Sequence, residues 1–256
     1  LQMNFTSNQD GRVENLSLGH VRDLSGAADA KLHVSLFSES DRTDPLAEVE
    51  FAVPSPGTDT RGPGVSVPLG PVDLKRGERY TLTVKAINGG EFLVEGATFV
   101  YEDWDDPIPQ NVDGYDANLM YDRTTIQTIP IMWPDVEDKR TMFVQTLEKA
   151  DYIIIPSQRR IWSVCRMPAV YPMTMEYYRA LFDGRLGFDL VAVFQSPLTI
   201  GPLQISDLAG SVSWGKPPAL PIINLNPLAA EESFSVYDHA PVWIFRKGAD
   251  FSLDQV

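Results

Sequence analysis

The chain is poor in cysteine, histidine and basic residues, and it has no long apolar run. Its one cysteine, Cys165, cannot form an intrachain disulfide, which leaves the redox compartment open. The 21 Lys and Arg against 35 Asp and Glu give a net charge of −14. That deficit of cations excludes sequence-independent nucleic-acid binding, which needs clustered Lys and Arg to displace phosphate counterions. It also disfavours docking on an anionic membrane face. The longest apolar stretches, Tyr152 to Pro156 and Leu190 to Phe194, fall far short of the ~20 residues that span a bilayer. No basic segment followed by an apolar one opens the chain, and Leu1-Gln2-Met3-Asn4-Phe5 reads like a cut through a longer polypeptide.

What remains is a chain of 256 residues with 43% apolar content, enough for a soluble, folded protein of one large or two ordinary domains. Up to Trp104 the pattern is short strands between turns. Leu32 to Phe37, Ala47 to Val53 and Tyr80 to Ala86 alternate with a period of two. Gly89-Gly90 turns the last of these into Phe92 to Val100, a hairpin partner. Phe37, Phe51, Tyr80 and Phe92 fall on apolar positions and read as core, not as an exposed sugar platform. The expected unit is a β-sandwich, jelly-roll-like, over residues 1–104.

From residue 105 to 256 the pattern changes to α/β, so the fold class overall is α+β. Asp135 reads as the N-cap of a helix on which Val136, Phe143, Leu147 and Ala150 face inward, with Glu137, Asp138, Lys139 and Arg140 outside. Asp151 to Pro156 follows as a buried strand. A second helix runs from Met173 to Phe182, with Pro172 in its first turn and Gly184 at its stop. Phe188 to Phe194 and Val242 to Phe245 are further strands, and residues 206–232 form an irregular excursion.

Catalytic signatures are missing. There is no Gly-rich phosphate loop, G-x-S-x-G elbow or H-E-x-x-H helix. Three scattered histidines do not suggest a His-based metal site, and Asp238-His239 reads as a turn. No catalytic residue and no cofactor is assigned. The acidic junction offers Asp103, Asp105 and Asp106 as calcium candidates, but their spacing is not that of an EF-hand, and Pro107 and Pro109 suit a stiff linker. One cluster stands out. Arg159, Arg160 and Arg166 follow the Ile-rich strand, and Tyr171, Tyr177, Tyr178 and Arg179 belong to the next helical region. Loops at the carboxyl ends of strands are where α/β sheets usually hold ligands. Of these, Arg166, Tyr177, Tyr178 and Arg179 are the ligand-binding candidates, for phosphate or sugar hydroxyls. The competing reading has the arginines paired with the chain's own carboxylates and the tyrosines packed.

Several segments also carry a family resemblance: Trp104-Asp105-Asp106-Pro107-Ile108-Pro109, Ala150 to Ile154, Tyr171-Pro172-Met173-Thr174 with Tyr177 to Phe182, Leu186-Gly187-Phe188, and Ser233 to His239 through Ile244 to Lys247. As a set these resemble the soluble tail of the large polytopic YYY membrane proteins, which are similar to GT-C glycosyltransferases that use lipid phosphosugars. The resemblance spans roughly Trp104 to Lys247. It implies an extracytoplasmic tail at the membrane face, partnered by the membrane-spanning part of the same polypeptide, with catalysis by carboxylates in that other part and a lipid-linked sugar or glycan as ligand. The expected function is therefore an accessory domain that is not catalytic alone. The alternative is a glycan-binding or interaction module of an exported protein.

Overall fold

A computed structural model describes residues 1–55, 59–103, 125–165, 167–195, 198–201, 203–205, 224–225, 240–249 and 251–252. The chain is mostly β, with several sheets, and the helices among the described residues lie in its second half. It divides into two compact units, the first spanning Leu1–Ala97 and the second beginning at Thr98.

In unit 1 the strands are β1 (Gln2–Thr6), β2 (Gly11–Leu18), β3 (His20–Asp23), β4 (Lys31–Ser38), β5 (Ala47–Phe51), β6 (Val65–Leu74), β7 (Arg79–Ile87) and β8 (Phe92–Glu95). They form a four-stranded sheet in the order β1-β7-β4-β5 and the pairs β2-β6 and β3-β8, all antiparallel in register. Alternation does the work here. Leu32, Val34 and Leu36 of β4 share one buried cluster with Val65, Val67, Val72 and Leu74 of β6 and Tyr80, Leu82 and Val84 of β7. Each such side chain contributes about 1.5–3 kcal/mol when fully buried. On β5, Glu48 and Glu50 face water as expected, while Phe51 packs on the cluster. Phe92 packs there too, but Phe37 is outside it.

Tyr80 does more than fill space. Its hydroxyl accepts a hydrogen bond from the Lys75 backbone N–H (2.8 Å) and donates to Glu78 Oε2 (3.2 Å). The ring thus ties the start of β7 to the turn that delivers it.

Unit 2 holds β9 (Thr98–Glu102), β10 (Thr125–Ile129), α1 (Glu137–Lys149), β11 (Tyr152–Ile155), α2 (Arg159–Cys165), α3 (Pro172–Phe182), β12 (Phe188–Phe194), β13 (Leu198–Ile200), β14 (Leu203–Ile205), β15 (Asn224–Leu225) and β16 (Val242–Lys247). Its main sheet has the order β10-β9-β11-β16-β12. β9 is parallel to both β10 and β11, and the other two pairings are antiparallel. Phe143 and Leu147 of α1, Ile161 and Val164 of α2, and Tyr177, Tyr178 and Leu181 of α3 share one core with Val100, Ile129, Ile153, Ile155, Trp243 and Phe245 of the sheet. Phe182 meets Trp243 and Phe245 edge-on at 5.5 and 5.2 Å. α3 stops as expected: Gly184 takes φ +76°, and the Leu186 N–H returns to Ala180 O at 3.1 Å. None of the described helices is long and apolar enough to cross a membrane.

Three expectations need correction. The seam lies between Ala97 and Thr98, not at residue 104, because β9 is a central strand of the second unit. The anticipated hairpin of β7 with Phe92 to Val100 does not form: β7 pairs with β1 and β4, β8 pairs with β3, and Val100 belongs to β9. In α1, Phe143, Leu147 and Ala150 are buried as read, but Val136 is 55% exposed and Lys139 is fully buried. Of the excursion at 206–232, only β15 is described; it pairs in parallel with β14, and the remainder lies outside the described residues.

Candidate functional site

The parallel strands of unit 2 end at one level, since Glu102 of β9 lies opposite Ile129 of β10. From β9 the chain goes to β10 on one flank, and from β10 it passes through α1 to β11 on the other flank. This reversal makes the carboxyl ends of β9 and β11 a topological switch point, where open α/β sheets leave a crevice for ligands.

Around these ends lie two buried polar groups. Glu102 is 1% exposed, and its Oε1 accepts a 2.5 Å bond from the Tyr178 hydroxyl. That length is typical of a charge-assisted O–H···O contact. The neighbouring Tyr177 is pushed well above the usual phenol range, chiefly by burial and then by the Glu102 charge. Its hydroxyl is buried with no hydrogen-bond partner.

The second group centres on Lys139. Its ammonium donates to Ile131 O (2.8 Å), Trp133 O (2.8 Å), Asp135 Oδ1 (2.7 Å) and Thr174 Oγ1 (2.6 Å). Burial lowers its pKa, and the Asp135 and Asp103 carboxylates oppose that shift without cancelling it. Asp135 Oδ2 also accepts the Met173 N–H (2.6 Å) and Thr174 N–H (3.3 Å), so this carboxylate caps α3. Its expected role was to cap its own helix. There the N-cap is Val136, without a side-chain cap bond.

α3 places its three candidate residues in different surroundings. Tyr178 is fully buried, and Tyr177 meets Phe143 edge-on at 5.1 Å and Tyr178 at 5.2 Å, so their flat faces serve the core. Arg179 is half-exposed, 3.7 Å from Glu176 one turn back. The three do not form one exposed Arg and Tyr surface. Arg166, Asp105 and Asp106 lie outside the described residues. Asp103 Oδ1 accepts the Ile131 N–H at 2.8 Å, and its Oδ2 is buried without a partner.

Sequence reasoning passed over Arg160 when the candidates were narrowed. It is only 9% exposed, and its Nε is buried without a hydrogen-bond partner. Nothing in the local pattern separates it from Arg159. Tyr177 and Tyr178, read as ligand-binding candidates with packing as the competing reading, are both buried. No protein-family model, curated protein or solved structure matches this chain.

Proposed function

We propose that this chain is an extracytoplasmic accessory module of a membrane-embedded, glycosyltransferase-like protein and does not transfer sugar by itself. The observation that carries the non-catalytic part is the state of the buried groups with acid or base chemistry among the described residues of unit 2. Lys139, Asp135 and Thr174 are bonded to one another, and Glu102 to Tyr178, in the interior. An acid or base must come within hydrogen-bond reach of the reacting group, and these are spent on holding α1, α3 and β9 together. The membrane-bound parent is supported by the set of motifs that includes Ala150 to Ile154, Tyr177 to Phe182 and Ile244 to Lys247.

In this reading unit 1 is a β-sandwich that positions the module. The Tyr80 hydroxyl, reaching back to a backbone N–H five residues upstream, supports a Greek-key sandwich, where such tyrosine corners recur. The test compares three samples with a polyprenyl-phosphate-linked sugar: the purified chain, the full-length parent in membranes, and the parent lacking this chain. Transfer is expected from the full-length parent alone. Turnover by the purified chain, or undiminished transfer by the truncated parent, contradicts the proposal.

A further inference from the structure

We propose that β12 and the hairpin after it dock this chain on the surface of an electrically neutral lipid bilayer. The side chains that meet the lipid are Leu190, Val191, Val193, Phe194 and Ile200. Phe194 is 60% exposed and Ile200 61%, and the other three are exposed as well. Elsewhere among the described residues, exposed large apolar side chains come singly or in pairs, which needs no explanation. Five within residues 190–200 form a patch of the kind that marks an interaction site. Charge is missing from the same place. The chain is 22% charged, yet none of residues 190–206 carries a charge. Depletion of charge is the compositional mark of a surface that becomes covered.

The geometry favours lipid over a further strand or a second copy. β12 is the outer strand of the main sheet, but its ladder with β16 shifts between Leu190 and Ala192. A bulge of this kind on an edge strand works against strand addition. A second copy would also bring another net charge of −14 against the first. An apolar medium asks for neither register nor hydrogen bonds. Ile200 pairs with Leu203 across the hairpin of β13 and β14, and Gly201 takes φ +60° in its turn. The Ile200 side chain can therefore enter an apolar layer while strand pairing keeps the hairpin's backbone groups bonded, as such a layer demands. Phe194 and Ile200 are separated by a stretch that spans about 22 Å at most, close enough to meet one flat surface together. The acidity of the chain selects neutral headgroups, since an anionic leaflet repels it. The inference adds a lipid contact to the accessory reading and does not require it.

The experiment is sedimentation of the purified whole chain with phosphatidylcholine vesicles. Binding that rises with lipid concentration is expected, unchanged by added salt and weaker when part of the lipid is phosphatidylserine. Phe194→Ser combined with Ile200→Ser should lower the partition coefficient at least tenfold. Phe194→Leu with Ile200→Leu should keep it. Leu24→Ser with Leu46→Ser, at exposed positions of unit 1, should leave it unchanged. The melting temperature of the double serine variant at 194 and 200 should match the wild type, because both side chains are exposed. No sugar enters this assay, so its failure leaves the transfer test of the accessory reading untouched. Absence of vesicle binding, tighter binding to phosphatidylserine, or equal binding by that serine variant overturns the proposal. So does a serine variant that unfolds, since the two side chains are then part of the core. A wild-type dimer in sedimentation velocity that the serine variant dissolves also overturns it, because a second copy then covers the patch.

Discussion

Replacing Asp135 by alanine should be among the costliest single changes in unit 2. The carboxylate has two roles: Oδ2 caps α3 through two backbone N–H groups, and Oδ1 faces the Lys139 ammonium. Loss of an N-cap costs about 1 kcal/mol. Removing one partner of a buried ion pair costs about 3–5 kcal/mol, because the other charge stays behind. Together these amount to ~4–6 kcal/mol, a large fraction of the ~5–15 kcal/mol that stabilises a domain. Asp135→Asn keeps an acceptor for the helix but removes the charge, so ~1.5–3 kcal/mol is expected, the worth of hydrogen bonds to a charged group. Urea titration followed by tryptophan fluorescence reports on this half, since no tryptophan precedes Trp104. The double variant Asp135→Ala with Lys139→Met should cost less than the sum of the single changes by ~1–3 kcal/mol. A cost near 1 kcal/mol for Asp135→Ala, or strict additivity with Lys139→Met, would refute the buried pair and leave only a cap.

Two further outcomes concern unit 1. Tyr80→Phe keeps the ring but leaves the Lys75 N–H without its acceptor, so a loss of about 1–3 kcal/mol is expected in chemical denaturation of the isolated segment 1–97; an unchanged midpoint would remove the corner from the account. Acid should also weaken unit 1. Hydrogen bonds from Ser25 and Thr43 lower the pKa of Asp23 and Asp41. Burial opposes the same shift at Asp59, where bonds from Arg61 prevail. A carboxylate with a depressed folded pKa contributes stability above its unfolded value of 3.8 and loses it as pH falls through the folded value. Thermal melts of segment 1–97 should therefore shift downward from pH 5 to pH 3, and a flat profile would speak against these contacts.

Much of the local structure was readable because it depends on periodicity. The read strands Ala47 to Val53, Tyr80 to Ala86 and Phe188 to Phe194 and the helix ending before Gly184 lie within two residues of the observed ends. What stayed hidden depends on contacts between distant residues. Thr98–Glu102 has the composition of any strand, and only pairing with β10 and β11 assigns it to the second unit. Lys139 looks like a surface residue in a charged tetrapeptide. It is interior because Ile131, Trp133, Asp135 and Thr174 converge on its ammonium. Asp135 reads as the N-cap of the helix that follows it in sequence, but the helix it caps is α3. Arg160 carries no local sign of burial at all.

The place of β9 in the sheet also has a consequence for biosynthesis. Unit 1 has all its described strands once Glu95 of β8 has been made, but β9 emerges immediately after it. Its neighbour β11 waits for α1, and β16, which pairs with β11, comes from residues Val242–Lys247. At ~5–20 residues per second, the roughly 140 residues between β9 and β16 take about 7–28 s to synthesise. Throughout that interval Phe99, Val100 and Tyr101 belong to a strand without its finished sheet. The nascent chain thus carries a β-prone segment whose sheet is completed only when β16 has been made.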